Sequence, residues 1–375
     1  MTLRVTWPQA LAWRMRRQFL DPLGDGQLTD IVSRLCGVQA QVASSAELAI
    51  RLRQRRSKQG EVADALARGD LLKTWAMRGT LHYLTPEDAG IYLSLLAAGR
   101  SWEVPSWQKY FGMKPGDFDE MRVVARDALD GRALTREELA AAMVRRPRLR
   151  HIGKEMASGW GTLLKPLAWQ GDLCFGPSQG NRVTFMRPDQ ASSRWAGVPP
   201  PDEAAPRAIA AYLAAYGPTT IDRFSNFISR GRVSKRSLRA WFGGMADRVV
   251  EVDVEGEAAF ILAEHTHELA ATKPTKAVRL LGGFDQWVLG PGTEDSHVIP
   301  SARRRTVSKQ SGWIAPIVVA GGAVAGTWEL DRHVIRVGWF AESGRLAKRG
   351  LTQEAGRLAA IIGRELTVEA ATVPA

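Results

Sequence analysis

Helical segments followed by a strand pair recur three times along this chain, and each strand pair bends at a turn that contains glycine. The first repeat has four predicted helices, at residues 7–20, 28–38, 44–56 and 61–69. Two short strands are then expected within residues 71–84, on either side of Arg78-Gly79. Several helices closed by a β-hairpin are the pattern of a winged helix.

The same order follows twice more, and the C-terminal part of the chain differs from it. The second repeat has predicted helices at 117–129 and 155–169, and between them a helix that begins at a Thr135-Glu138 capping box. A hairpin is predicted within 171–187. The third has helices at 204–216, 217–227 and 234–242, with Ser234 as N-cap, and a hairpin turning at Glu255-Gly256. Beyond it, strands are predicted within 277–284, 313–320, 323–330 and 333–340, and a last helix at 352–365.

This order of segments predicts an α+β protein with three tandem winged-helix units and a C-terminal β-rich domain. The predicted domains are residues 1–112, 113–198, 199–270 and 271–375, and the last includes the final helix. At 375 residues the chain is too long for one simple core, so several domains are expected.

The charge balance indicates a polyanionic partner. Lys+Arg number 51 and Asp+Glu 39, which gives a formal charge of +12 and an isoelectric point near 10.1. The longest apolar stretch, Trp313–Trp328, is broken by Gly321-Gly322 and is shorter than the ~20 residues that span a bilayer. Because Cys36 and Cys174 are the only cysteines and no secretory signal is visible, we expect a soluble, cytoplasmic protein without a disulfide framework.

Basic residues cluster in the segments that the pattern predicts to be turns and helix starts, where phosphate contacts commonly form. The first 60 residues have ten Lys or Arg against four Asp or Glu, and further clusters lie at 145–154, 229–239 and 301–309. Double-stranded DNA is therefore the expected partner, and the candidate contact residues are Arg78, Thr80, Arg230, Arg232, Lys235, Arg236, Arg303, Arg304, Arg305, Lys309 and Trp313.

Motifs for metal, nucleotide and acyl-transfer chemistry are missing from the sequence. His265 and His267 are the only closely spaced histidines, and although a strand would put both on one face, no third ligand has a recognised spacing. No Walker-type loop, dinucleotide fingerprint, G-x-S-x-G motif or zinc deaminase signature is present. We therefore expect neither a metal nor a cofactor. Asp285, between apolar residues, fits a turn-capping carboxylate and a functional one equally well.

Gln39 and Gln41 flank Ala40 at the predicted end of the second helix or in the turn after it. Each amide needs hydrogen-bond partners if it is buried, so such a pair is unusual in a core. A Gln-Ala-Gln triplet by itself is weak evidence for a functional site. Its interpretation depends on the segments that accompany it in the sequence.

The chain resembles the AlkZ-like family of bacterial DNA glycosylases in three segments: this triplet, Trp75–His82 and Leu280–Gly290. The resemblance covers nearly the whole chain, and Gln39-Ala40-Gln41 matches the family's glutamine-apolar-glutamine motif without departure. It implies excision of alkylated purines with Gln39 and Gln41 as catalytic residues. Some family members unhook interstrand crosslinks or remove bulky natural-product adducts as producer self-resistance.

The chemistry of the residues agrees with such an enzyme. A purine alkylated at N7 is cationic and leaves readily, so two amides that position water and stabilise the sugar would suffice. The sequence therefore predicts a monofunctional, monomeric glycosylase associated with the nucleoid, with His82 and Asp285 as candidate supporting groups. The alternative is a non-catalytic winged-helix transcription regulator, which would use a recognition helix in the major groove and usually a two-fold dimer.

Overall fold

The computed structural model of the protein describes residues 2–156, 158 and 161–374. The helices, in chain order, are α1 (Trp7–Arg17), α2 (Leu28–Arg34), α3 (Ala43–Arg51), α4 (Glu61–Ala67), α5 (Pro86–Ala97), α6 (Pro105–Tyr110), α7 (Asp117–Ala128), α8 (Arg136–Val144), α9 (Gly153–Met156), α10 (Leu164–Trp169), α11 (Pro188–Ala191), α12 (Pro201–Tyr216), α13 (Ile221–Ser229), α14 (Lys235–Gly243), α15 (Thr266–Ala271), α16 (Gln286–Leu289), α17 (Arg304–Val307) and α18 (Lys348–Ile362).

The strands, in chain order, are β1 (Arg4–Val5), β2 (Val38–Gln39), β3 (Leu72–Ala76), β4 (Thr80–Leu84), β5 (Leu134–Thr135), β6 (Cys174–Phe175), β7 (Thr184–Met186), β8 (Val249–Val254), β9 (Glu257–Leu262), β10 (Val278–Leu281), β11 (Ile317–Ala320), β12 (Ala323–Asp331), β13 (Val334–Phe340) and β14 (Thr367–Val373). None of the helices formed by the described residues has the length and apolar character needed to span a bilayer.

The chain packs into two compact units. Unit 1 comprises Met1–Glu61, Ile209–Phe227 and Phe242–Ala375, and unit 2 comprises Val62–Ala208 and Ile228–Trp241. Each unit therefore gathers segments that are distant in sequence. The finer division into four domains stays a prediction.

Unit 1 is built on the C-terminal sheet, with strand order β10-β11-β12-β13-β14. β10 to β13 are antiparallel neighbours, and the Gly321-Gly322 turn joins β11 to β12 as the sequence predicts. Helix α18 packs against β10 and β14, and Leu11 and Met15 of α1 join the same apolar core. A second sheet has the order β1-β8-β9, in which the β8–β9 hairpin turns at Glu255-Gly256 as expected.

Unit 2 contains the first two predicted hairpins. β3 and β4 pair from Leu72–Leu84 to Ala76–Thr80, so the chain reverses at Arg78-Gly79, where both residues have positive φ. Across this unit the strands follow the order β4-β3-β6-β7-β5. The Thr135-Glu138 capping box forms at the start of α8, which confirms that helix start.

Several local predictions differ from the structure, and those that bear on the site or on the sheet are the following. Helix α2 ends at Arg34, because Cys36 and Gly37 adopt positive φ, so Gln39 lies on the short strand β2 and not on a helix. The helix predicted at 155–169 is interrupted: α9 ends at Met156 and α10 begins at Leu164, and residues 157, 159 and 160 lie outside the described part. The final helix begins four residues early, at Lys348, and is followed by β14, which the pattern did not predict.

Candidate active site and DNA interface

The two glutamines flank Ala40 in the segment between α2 and α3. Gln39 ends strand β2, and Gln41 lies two residues before the first residue of α3. The Gln39 side chain is buried, with 6% of its surface exposed, whereas Gln41 is exposed. The motif therefore presents one amide from the protein interior and one from the surface.

Neither glutamine side chain has a hydrogen-bond partner within the described part of the chain. An amide group carries an acceptor oxygen and two N–H donors, so both side chains keep this capacity for water or a nucleotide. This free capacity is the main chemical property of the site.

The turn ahead of Gln39 is held by two side chains of unit 1. The Tyr216 hydroxyl at the end of α12 donates to the Leu35 carbonyl over 2.7 Å. The Gln286 amide Nε2 at the start of α16 donates to the Gly37 carbonyl, also over 2.7 Å. Both side chains are buried. The sequence reasoning did not identify either residue, although Gln286 directly follows Asp285 in the stretch that it singled out.

Asp285 lies in unit 1 with both carboxylate oxygens occupied. Oδ1 accepts from the Trp287 backbone N–H and from Arg53 Nη2, each over 2.7 Å, and Oδ2 accepts from Arg53 Nη1 over 2.9 Å. The aspartate is 1% exposed and its arginine partner is fully buried. These contacts favour the turn-capping reading of Asp285 over the functional one, because breaking a buried ion pair is costly.

His82 lies on β4 in unit 2 and is fully buried. Its Nδ1 is 3.0 Å from the Thr80 carbonyl, which makes Nδ1 the protonated nitrogen. Burial, reinforced by the positive charge of Arg78, lowers the pKa of His82 to about 3. At neutral pH the imidazole is therefore uncharged, and its one N–H is bonded to the backbone, so the structure argues against His82 as a proton donor.

Two exposed basic surfaces fit the DNA contacts expected from the sequence. In unit 2, the loop before α14 and its first turn expose four cationic side chains that form no ion pair within the described residues: Arg230, Arg232, Lys235 and Arg236. The hairpin turn of the same unit carries Arg78 and Thr80, both partly exposed. Such side chains can reach phosphate oxygens.

In unit 1, residues 308–314 form a tight loop with an exposed tip. Ser308 bridges Ile314, and the Lys309 N–H donates to the Trp313 carbonyl over 2.8 Å. Lys309 in the loop is exposed, as is Arg305 in α17 just before it, and Trp313 is 51% exposed with its ring edge-on to Phe284. We call Arg305, Lys309 and Trp313 the tip cluster.

Two neighbouring arginines differ from the tip cluster. Arg303 is buried and donates to both oxygens of Glu342 over 2.7 and 2.8 Å, and it also donates to the Val373 carbonyl. Its expected role as a DNA contact is therefore revised to a structural one. Arg304 is exposed, but its charge is balanced by Glu294 at 2.8 Å.

The histidine pair does not have the predicted strand geometry. His265 ends a short 3-10 turn and His267 lies in α15, so the two do not share a strand face. Among residues 2–156, 158 and 161–374, no group of three His, Cys, Asp or Glu could hold a metal ion.

The candidate residues are divided between the two units. Unit 1 contains Gln39, Gln41, Asp285 and the tip cluster, and unit 2 contains Arg78, Thr80, His82 and residues 230–236.

Comparisons with known proteins match nearly the whole chain. The chain is 49% identical over 366 residues to the interstrand DNA cross-link repair glycosylase of Streptomyces sahachiroi, an alignment that covers 96% of this chain and 98% of that protein. The solved structure of the Streptomyces sahachiroi DNA glycosylase AlkZ superposes with a TM-score of 0.96 at 47% identity, covering 98% of this chain and all of that one. This likeness confirms the α+β fold class.

The family model described as DNA glycosylase AlkZ-like matches residues 32–361, a range that includes both glutamines and four of the five strands of the C-terminal sheet, β10 to β13. A match of this extent, with a relative of this identity, shows that the protein is an enzyme of the AlkZ-like family of DNA glycosylases.

Proposed function

We propose that this DNA glycosylase hydrolyses the N-glycosidic bond of cationic, N7-alkylated purines in duplex DNA, with Gln39 and Gln41 as its catalytic residues. The observation that carries the proposal is that both glutamine side chains lack hydrogen-bond partners among the described residues, Gln39 being a buried residue and Gln41 an exposed one. Their donors and acceptors are available to a water molecule and to the sugar-phosphate of the lesion.

The reaction needs little proton transfer from the protein. The C1′–N9 bond breaks with its electron pair moving to the purine, and the cationic base leaves as a neutral molecule. Water oxygen bonds to C1′ and gives its proton to solvent. The amide oxygens accept from this water and orient it, while the N–H groups donate to sugar or phosphate oxygens, so the site contributes by positioning and electrostatics.

The substrate class extends to bulky and crosslinked purines. The 49% identical relative is named as an interstrand crosslink repair glycosylase, and such a crosslink can share the N7 linkage with a methyl adduct. We infer that this chain acts as a monomer on nucleoid DNA and contributes to self-resistance against DNA-alkylating natural products. The resemblance of Gln39-Ala40-Gln41 to the family motif supports the part of this inference that concerns alkylated DNA.

The direct test is to incubate the protein with a duplex that carries one N7-methylguanine. We expect release of the free methylated base, together with an alkali-labile abasic site at that position. The same duplex with unmodified guanine is the control and should remain intact. Tight binding to the modified duplex without any base release would contradict the proposal and favour a non-catalytic DNA-binding role.

The tip cluster is proposed to contact the DNA backbone. Replacing Arg305 and Lys309 together with alanine should weaken binding to all duplex sequences, because phosphate contacts carry no sequence information. The slope of log K against log salt should flatten by about 0.9 for each lost contact. Fluorescence anisotropy at several salt concentrations measures both effects.

Arg336 provides a matched control in the same unit. It is exposed like the tip cluster, but Asp331 and Glu369 balance its charge. Arg336→Ala should leave the salt slope unchanged. A double variant whose salt slope equals that of the wild type would place the tip cluster away from the DNA.

A further inference from the structure

The turn that leads into Gln39 has an unusual backbone conformation. Cys36 has φ +56° and Gly37 has φ +93°, and both residues are fully buried or nearly so. A non-glycine residue in the left-handed region is strained and persists only where the surroundings determine it. The direction in which strand β2 leaves this turn therefore depends on the contacts that hold residues 35–37.

Local backbone bonds tie the N–H groups of residues 35–37 to α2, and two side-chain hydrogen bonds from distant parts of the sequence bind the carbonyls of this turn. Tyr216 and Gln286 lie 181 and 249 residues from the carbonyls that they bind. Both bonds are 2.7 Å long, and both side chains are fully buried. Because water does not replace a partner in such a place, loss of either donor would leave a buried carbonyl unpaired.

The two donors are themselves fixed. Helix α16 begins at Gln286 because Asp285 caps it, and Asp285 is held in turn by Arg53. Arg53 also donates to the Ala49 carbonyl of α3, the helix that follows the glutamine motif. The Asp285-Gln286 dipeptide thus contacts the chain on both sides of Gln39 and Gln41.

Tyr216 packs against the other end of the same short helix. A methyl group added to Gly290, the residue that directly follows α16, would overlap the Tyr216 ring. Because residue 290 is glycine, the Tyr216 ring can pack directly against the backbone at the end of α16. Tyr216 and α16 therefore pack together, and both contact the turn at residues 35–37.

We infer that Tyr216 and Gln286 are positioning residues, which fix the turn at residues 35–37 and through it the orientation of the Gln39 amide. This inference rests on the proposed catalytic role of Gln39. Neither residue is expected to touch DNA, since both side chains are buried. Their contribution should therefore appear in the rate of the chemical step and not in DNA affinity.

Two variants remove one donor each: Tyr216→Phe deletes a single oxygen, and Gln286→Met keeps the side-chain length without the N–H group. Under single-turnover conditions with saturating enzyme, we expect each to lower the rate of N7-methylguanine release by about 10- to 100-fold, because a small misplacement of a catalytic group has effects of this size. The Kd for the lesion duplex should change by less than about 2-fold, since binding is dominated by phosphate contacts.

Tyr212→Phe is the matched control. Tyr212 lies one turn earlier on α12, is equally buried, and donates to the Gly290 carbonyl and not to residues 35–37. This variant should lose a similar amount of stability in denaturant unfolding but keep the wild-type excision rate within about 3-fold, because the turn at residues 35–37 keeps both donors.

The outcomes separate this inference from the proposed function. The proposed function would be contradicted if the wild-type protein had no excision activity, or if the Gln39→Ala variant were fully active. If wild type is active and Gln39→Ala is not, wild-type rates in Tyr216→Phe and Gln286→Met would overturn the positioning role alone. An equal rate loss in Tyr212→Phe would also overturn it, because the effect would then follow stability and not the turn.

Discussion

Gln39→Ala and Gln41→Ala are each expected to lower the single-turnover rate of base excision by about 100-fold or more, as removal of a preorganised polar group at a reacting centre commonly does. Folding should change little, because neither side chain has a hydrogen-bond partner among the described residues whose loss would leave another group unpaired. Affinity for the lesion duplex should stay within about 3-fold of wild type, since phosphate contacts dominate DNA binding. Rapid-quench kinetics and anisotropy measure the two quantities.

Gln353→Ala is the control for these variants, because Gln353 is an exposed glutamine of α18 in the same unit. It should behave like the wild type in both assays. A parallel loss of affinity and rate in the Gln39 and Gln41 variants would make the two residues structural or DNA-binding. Wild-type excision rates in both variants would mean that the catalytic site lies elsewhere.

The sequence predicted the hairpins of this fold well because their turns carry local signals. Arg78-Gly79, Glu255-Gly256 and Gly321-Gly322 all have positive φ, which glycine adopts without strain. Strand β14 carried no such signal, because it pairs in parallel with β13 after the intervening helix α18 and is largely exposed. Parallel pairing depends on tertiary packing, which a local pattern does not show.

The end of α2 shows the same limit. Apolar spacing extends the predicted helix to residue 38, but the buried Cys36 takes a left-handed conformation that ends the helix early. Of the two predicted positions for Gln39, the end of the helix is excluded, and the residue lies just after the turn, on the short strand β2. Their supports Tyr216 and Gln286 carried no signal of their role, because each lies more than 180 residues away along the chain.

The basic segment at 301–309 mixes two kinds of arginine. Arg303 and Arg305 are close neighbours in the sequence, yet one is buried against Glu342 and the other is exposed. Charge clustering predicted that the segment as a whole would contact DNA. Only the structure separates the structural cation from those available to phosphate.

The second large effect concerns the choice of lesion. N7- and N3-alkylated purines carry their own positive charge, whereas uracil, hypoxanthine and 8-oxoguanine leave as poorer groups unless an acid protonates them. A general acid typically contributes ~10²–10⁴ in rate, and neither titratable candidate can supply it here. Asp285 is engaged on both oxygens by Arg53, and the pKa of His82 is lowered to about 3.

The most direct measurement of this mechanism compares single-turnover excision of N7-methylguanine, uracil and hypoxanthine in duplexes that are otherwise identical. Affinity for each duplex, measured in parallel, separates recognition from chemistry. We expect the cationic base to be released at least about 100-fold faster than either neutral base, by the lower end of the general-acid range. Release of uracil or hypoxanthine within about 10-fold of the N7-methylguanine rate would contradict the account and require a proton donor beyond Gln39 and Gln41.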